Sequence, residues 1–200
     1  MRLLKYGDTG NMIINCHVNE ALHHINQAGY GAHYIIIYPD LDTLRELYSN
    51  YVGKQIEDND EVVLINPFYE TADSVRQVLS HNNYSMNVSR YEKENMLLIA
   101  DSLKEYLGDQ PHTHFRKSLA NCAEMGKNGL SVLADLGASP HKSMYDDLVD
   151  YELSLPRTYD DVALKGFCLY HQKVFEKFSD EQKQKLVKHH GKTIKIIQAQ

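Results

Sequence analysis

Apolar residues along this chain gather in short continuous blocks set between longer stretches of mixed polarity. HYIIIY (33–38), EVVLI (61–65), MLLIA (96–100), LSVLADL (130–136), GFCLYH (166–171) and TIKII (193–197) are such blocks. A short run without alternation predicts a strand covered on both faces. The stretches between them carry helical spacing. After the first strand, Leu41, Leu44, Leu47, Tyr48, Tyr51 and Val52 recur at that spacing, and Asp40 stands where an N-cap belongs. TADSVRQVLSH follows the second strand as a helix, and Pro111 suits the first turn of a helix through FRKSLANCAEMG. Ser139-Pro140 opens a helix to about Leu153, and Ser179 with Gln182 forms a capping box for SDEQKQKLVKHH. Near the start, NCHVNEALHHINQ (15–27) reads as a short helix stopped by Gly29 and Gly31. YSMNVSRYE (84–92) alternates weakly and reads as a half-exposed strand.

Buried strands alternating with helices predict an α/β, three-layer fold: a mostly parallel β-sheet with helices on both faces. The chain divides into an N-terminal extension packed on the core, residues 1–30, and one α/β domain, 31–200. In parallel sheets ligands bind beyond the carboxyl ends of the strands. That directs attention to Pro39, Asp40, Asn66, Asp101, Gly137 and Tyr170.

Composition narrows the function classes. The chain has 200 residues, 42% hydrophobic and 24% charged, a globular balance. Its net charge of −6 argues against direct binding of nucleic acid or a membrane surface, which need concentrated Lys and Arg. No apolar run has the roughly 20 residues of a membrane helix, and the first residues lack the apolar stretch of a signal peptide. Cys16, Cys122 and Cys168 are widely spaced and suit a reducing compartment, so a cytoplasmic protein is expected. Charge is uneven: residues 146–161 hold six acids against Arg157, and the last 21 hold five lysines against Asp180 and Glu181. These are read as solvated helix faces, or as surfaces that pair across one subunit or between two copies in a homodimer.

Catalytic motifs are largely missing. The first strand-to-helix junction, where a phosphate loop would sit, reads Tyr38-Pro39-Asp40-Leu41-Asp42 without a glycine. Gly191-Lys192-Thr193 has the last letters of such a loop, but Leu186 occupies the place of its first glycine. Neither GxSxG nor GxGxxG occurs. The eleven histidines show no paired spacing of a zinc site and read as solvated surface residues. Asp40 and Asp101, each directly after a strand, are either helix caps or two carboxylates facing one cleft around Mg²⁺. Tyr34, Tyr38 and Tyr170 lie on strands, where they either line a pocket or pack the sheet.

Several short motifs together resemble the MEDS family, the methanogen/methylotroph sensory domain. They are His33-Tyr34-Ile35-Ile36-Ile37-Tyr38-Pro39-Asp40, the step Leu97-Leu98-Ile99-Ala100-Asp101-Ser102-Leu103, the pair Tyr151-Glu152, Cys168-Leu169-Tyr170, and Val187-Lys188-His189-His190. The resemblance spans about residues 30–197. It implies a RecA/KaiC-like core that has lost its phosphate-binding loop and serves as a ligand or signal sensor, which agrees with the missing glycines. Such domains are often joined to a DNA-binding domain or a histidine kinase, neither of which is expected within these 200 residues, and the family's Gly-Glu pattern appears only as Ala134-Asp135-Leu136-Gly137.

The expected function is therefore a non-enzymatic sensory domain binding a small ligand or a signalling protein, with no cofactor. Its candidate ligand-binding residues are Tyr38, Asp40, Asn66, Asp101 and Tyr170. The alternative is a metal-dependent phosphohydrolase or cryptic ATPase using Asp40 and Asp101 at the carboxyl edge of the sheet.

Overall fold

The computed structural model of the protein describes residues 13–81, 86–100, 111–137 and 142–198. Seven strands form one sheet: β1 (Ile13–Cys16), β2 (His33–Tyr38), β3 (Val62–Asn66), β4 (Leu97–Ile99), β5 (Leu130–Asp135), β6 (Leu164–His171) and β7 (Lys192–Ile196). Their spatial order is β1-β7-β2-β6-β5-β3-β4, and every pair is parallel. The expected three-layer α/β architecture is what the chain adopts.

Eight described helices connect the strands: α1 (Val18–Asn26), α2 (Leu41–Glu57), α3 (Ala72–His81), α4 (Val88–Lys93), α5 (Pro111–Glu124), α6 (Lys142–Ser154), α7 (Gln172–Phe175) and α8 (Asp180–His189). From β2 the chain steps outward to β3 and β4, then returns through β5, β6 and β7. Because parallel crossovers keep one hand, outward and returning connections lie on opposite faces. The α1–α4 face packs Leu47, Tyr51, Val75 and Ile25 onto Ile36, Val63 and Phe167. The opposite face packs Cys122, Val149 and Leu186 onto Ile35, Val132 and Tyr170.

Two expected elements differ. Residues 15–27 are not one helix, because Ile13–Cys16 first pairs with β7 as an edge strand and only then turns into α1. The weak alternation at 84–92 does not make a strand. Residues 86 and 87 lead into α4, where Asn87 accepts the Arg90 N–H at 3.1 Å and Arg90 pairs with Glu94 one turn on. A side-chain cap and a helical ion pair outweigh alternation in so short a segment. The expected Ser139-Pro140 cap lies outside the described residues, whereas the Ser179–Gln182 capping box of α8 is present.

Asp40 caps α2, its carboxylate accepting the Thr43 N–H at 2.8 Å. Beneath α2, at the amino end of the sheet, Lys165 of β6 pairs with Glu61. Glu61 also accepts the Ser131 hydroxyl at 2.6 Å, and that hydroxyl meets the Tyr51 hydroxyl at 2.9 Å. The Lys165 and Glu61 side chains are 6% and 2% exposed, so neither charge has water to fall back on. We expect Glu61→Gln, which strands the ammonium, to cost about 3–5 kcal/mol in urea denaturation, and the double change Glu61→Leu with Lys165→Met to cost less. Single-variant losses below about 1 kcal/mol, the range of an exposed pair, would contradict this.

Candidate functional site

Strand alternation sends His33, Ile35 and Ile37 to the side of the sheet that carries α6 and α8. The β2–β6 register sets Cys168 beside Ile35, Tyr170 beside Ile37, and Gly166 beside His33. Gly166 must stay bare: a Cβ there would come within 2.9 Å of the Tyr159 ring and 3.5 Å of the His33 ring. Helix α6 brings Glu152, with no exposed surface, over this point. Helix α8 ends at His190, whose backbone N–H bonds Leu186 O, and the chain passes through Gly191 into β7.

Four buried side chains thus converge: His33, Glu152, Cys168 and His190, one candidate ligand atom from each lying within 4.8 Å of all the others. Nε2 of His33 is 3.3 Å from Cys168 Sγ, Cys168 Sγ is 3.4 Å from Glu152 Oε2, and that oxygen is 3.1 Å from His190 Nε2. The Tyr170 hydroxyl donates to the other carboxylate oxygen at 2.9 Å. Both imidazoles are oriented from behind. Nδ1 of His33 lies 2.9 Å from the Pro156 carbonyl and Nδ1 of His190 lies 2.8 Å from the Leu186 carbonyl. A carbonyl only accepts, so each Nδ1 carries the hydrogen and each Nε2 is turned toward the cluster.

The electrostatics follow from this enclosure. Burial, helped by the positive field of His190, pushes the His33 imidazole down to about 3, so it is neutral at physiological pH. Burial pushes the Cys168 thiol well up, with the Glu152 charge adding to it. Burial alone would raise Glu152, but the hydrogen bond and charge of His190, with His33 and Tyr170, hold it below the usual carboxylate range. A cavity of about 20 Å³ adjoins the cluster, bounded by His33, Glu152, Cys168, Tyr151, Tyr159 and Ala134. It holds little more than one or two water-sized groups.

The residues singled out in the sequence are spread more widely. Tyr38 lies on the α1–α4 side, donating its hydroxyl to Asp135 at 2.8 Å, and Tyr170 lies on the other side beneath Glu152. Asn66 ends β3 and borders a second small cavity with Asp135, Glu70 and Tyr48. Asp40 is bound up in its cap, and Asp101 lies outside the described residues. Beyond the carboxyl end of β5 the Phe68 ring lies over Gly137, within 1.8 Å of where a Cβ would be. The reading of the histidines as solvated surface residues is corrected at two positions: His33 and His190 are each 1% exposed, because the sheet, α6 and α8 close over them.

A family model described as MEDS, the MEthanogen/methylotroph, DcmR Sensory domain, matches residues 32–191. The chain belongs to the MEDS family. No curated protein matches it. His33, Glu152, Cys168 and His190 all belong to the short motifs on which the MEDS resemblance rests, and the fold gathers them at one point. No local spacing announces this cluster, since its members are separated by 119, 16 and 22 positions (33 to 152, 152 to 168, 168 to 190). The available signal was polar residues inside otherwise apolar blocks, His33 and Cys168 above all.

Asp135 is a further buried acid, outside the candidate ligand-binding residues named from the sequence. It accepts the Tyr38 hydroxyl and the Phe68 and Tyr69 N–H groups at 3.2 and 3.3 Å, yet burial lifts its carboxyl to about 6 from 3.8. Its folded value lies above its unfolded value, so the folded chain binds the extra proton between about pH 4 and 6, and the cost of burying the ionised form disappears as pH falls through that window. Tyr38→Phe removes a bond to that ionised form. We expect a loss of roughly 1.5–3 kcal/mol at pH 8 that shrinks at pH 5, read by urea denaturation. A loss of equal size at both pH values would refute an ionised Asp135.

Proposed function

We propose that this MEDS chain is a non-enzymatic sensor whose ligand enters the cavity beside His33, Glu152 and Cys168 and is reported by movement of α6. Membership of a sensory family supports the general role. The observation that carries the particular reading is a small cavity whose walls are largely apolar but whose floor is a cluster of potential donors and acceptors. Such a site accepts a molecule of about two heavy atoms, one apolar carbon and one polar head. Glu152 ties α6 to β6 through Tyr170 and Cys168, and to the start of β7 through His190. A ligand that takes over one of these bonds changes how α6 is held.

The RecA/KaiC-like ancestry implied by the resemblance belongs to this proposal. It is supported by a β2–α2 junction of only Pro39 and Asp40, where the Asp40 carboxylate already takes the Thr43 N–H that a phosphate would otherwise approach. The reading of Asp40 and Asp101 as a phosphohydrolase or ATPase pair gains no support of this kind.

Methanol and xenon serve as probes in amide chemical-shift mapping. The expected result is saturable shifts at 151–155 and 164–168, abolished by Ala134→Val, which fills the cavity, while ATP leaves residues 38–43 unmoved. Shifts elsewhere, or shifts that persist in Ala134→Val, would sink the cavity as the sensing site.

A further inference from the structure

We infer that His33, Glu152, Cys168 and His190 form a binding site for one divalent transition-metal ion of the zinc class. The inference goes beyond the sensory reading and stands on the cluster's geometry, whatever the sensed molecule is.

The first support is the size of the polyhedron. Metal–ligand lengths near 2.0–2.3 Å at tetrahedral angles place neighbouring donor atoms roughly 3.3–3.8 Å apart. Three edges of the cluster measure 3.3, 3.4 and 3.1 Å, and no edge exceeds 4.8 Å. Closing the longer edges takes side-chain adjustment without a change of backbone.

The second support is independent of the first. Each imidazole spends its Nδ1 hydrogen on a backbone carbonyl, Pro156 O or Leu186 O, and presents Nε2 inward. That is the orientation a metal-ligating histidine takes from its outer partner. Tyr170 likewise occupies one oxygen of Glu152 and leaves the other facing the cluster.

Hydrogen counting gives the third support. The Cys168 thiol has one hydrogen, which cannot serve both His33 Nε2 and Glu152 Oε2, its two neighbours at 3.3 and 3.4 Å. The contact between His190 Nε2 and Glu152 Oε2 needs a second hydrogen, since otherwise two lone pairs face each other. A divalent ion replaces both. Four bonds to the metal form, the S–H and N–H bonds break, and two protons leave to solvent. The thiolate and the carboxylate then balance the ion's two charges, so the buried site stays neutral. One thiolate and two imidazoles beside a single carboxylate select a borderline ion over Mg²⁺ or Ca²⁺, which favour oxygen cages.

The test uses the full chain, stripped with a chelator and titrated with Co²⁺ as a coloured stand-in for Zn²⁺. The expected result is saturation at one equivalent, the intense visible bands of a tetrahedral ion, a thiolate-to-cobalt charge-transfer band in the near ultraviolet, and loss of colour when Zn²⁺ is added. Cys168→Ser should remove the charge-transfer band, while Cys16→Ser and Cys122→Ser retain it. Glu152→Gln should weaken binding by at least the roughly 10–100-fold that loss of an outer-shell partner costs. If Cys168→Ser does not fold, cobalt-edge X-ray absorption of the unaltered chain decides: one sulfur with nitrogen and oxygen neighbours supports the site, and a shell without sulfur overturns it. No band at one equivalent, a band that survives Cys168→Ser, or one that disappears with Cys16→Ser or Cys122→Ser also overturns it.

Discussion

The Glu152 carboxylate is cut off from bulk solvent, and much of one face of the molecule is arranged around that fact. Removing such a group from solvent costs several kcal/mol unless every lone pair finds a partner. The partners come from two places: Tyr170 and Cys168 from the centre of the sheet, and His190 from the junction of α8 with β7. None of them is near Glu152 in sequence. The carboxylate therefore fixes where α6 lies over the sheet, how far α8 runs before it stops, and which residue of β6 faces it. An apolar residue at 152 would pack without setting any of these distances.

The two faces of the sheet solve burial differently. On the α1–α4 side, each carboxylate has its own set of donors, Glu61 with Lys165 and Ser131 at the amino end and Asp135 with hydroxyl and amide groups at the carboxyl end. On the α5–α8 side the polar groups are fused into one cluster of mixed sulfur, nitrogen and oxygen. Matching of that kind leaves little free capacity, since the donors already answer the charge. A cluster with more acceptors than hydrogens has capacity left over, and this makes it the chemically open part of the molecule.

Much of the fold was legible because the buried strands are continuous apolar blocks and their helices carry orthodox caps. Asp40, Ser179 and Gln182 act as their positions suggest. What failed to read were short elements. IINC at 13–16 is only four residues and gains its strand conformation by pairing with β7, 180 positions away (13 to 193). VSRYEK owes its turn of helix to Asn87, a signal overshadowed by weak alternation. The site was less legible. The rule that ligands gather at carboxyl ends pointed to Pro39, Asp40, Asn66, Asp101, Gly137 and Tyr170; Tyr170 touches the cluster through Glu152, but the cluster itself lies toward the amino end of β2, among residues from three other elements. Periodicity reports which face a residue takes, and it is silent about what crosses above that face.

The backbone around the cluster constrains how it can open. Gly191, the single residue between His190 and β7, donates its N–H to the His33 carbonyl at 2.8 Å, so the two imidazoles are stitched together through the main chain. Cys168 is fixed by the ladders of β6. Glu152 lies within helix α6 and reaches the sheet through its side chain. The cluster is thus a frame with three sides joined through the main chain and a fourth held by side-chain bonds, so that substituting Glu152 takes out one wall while the backbone links among the other three remain.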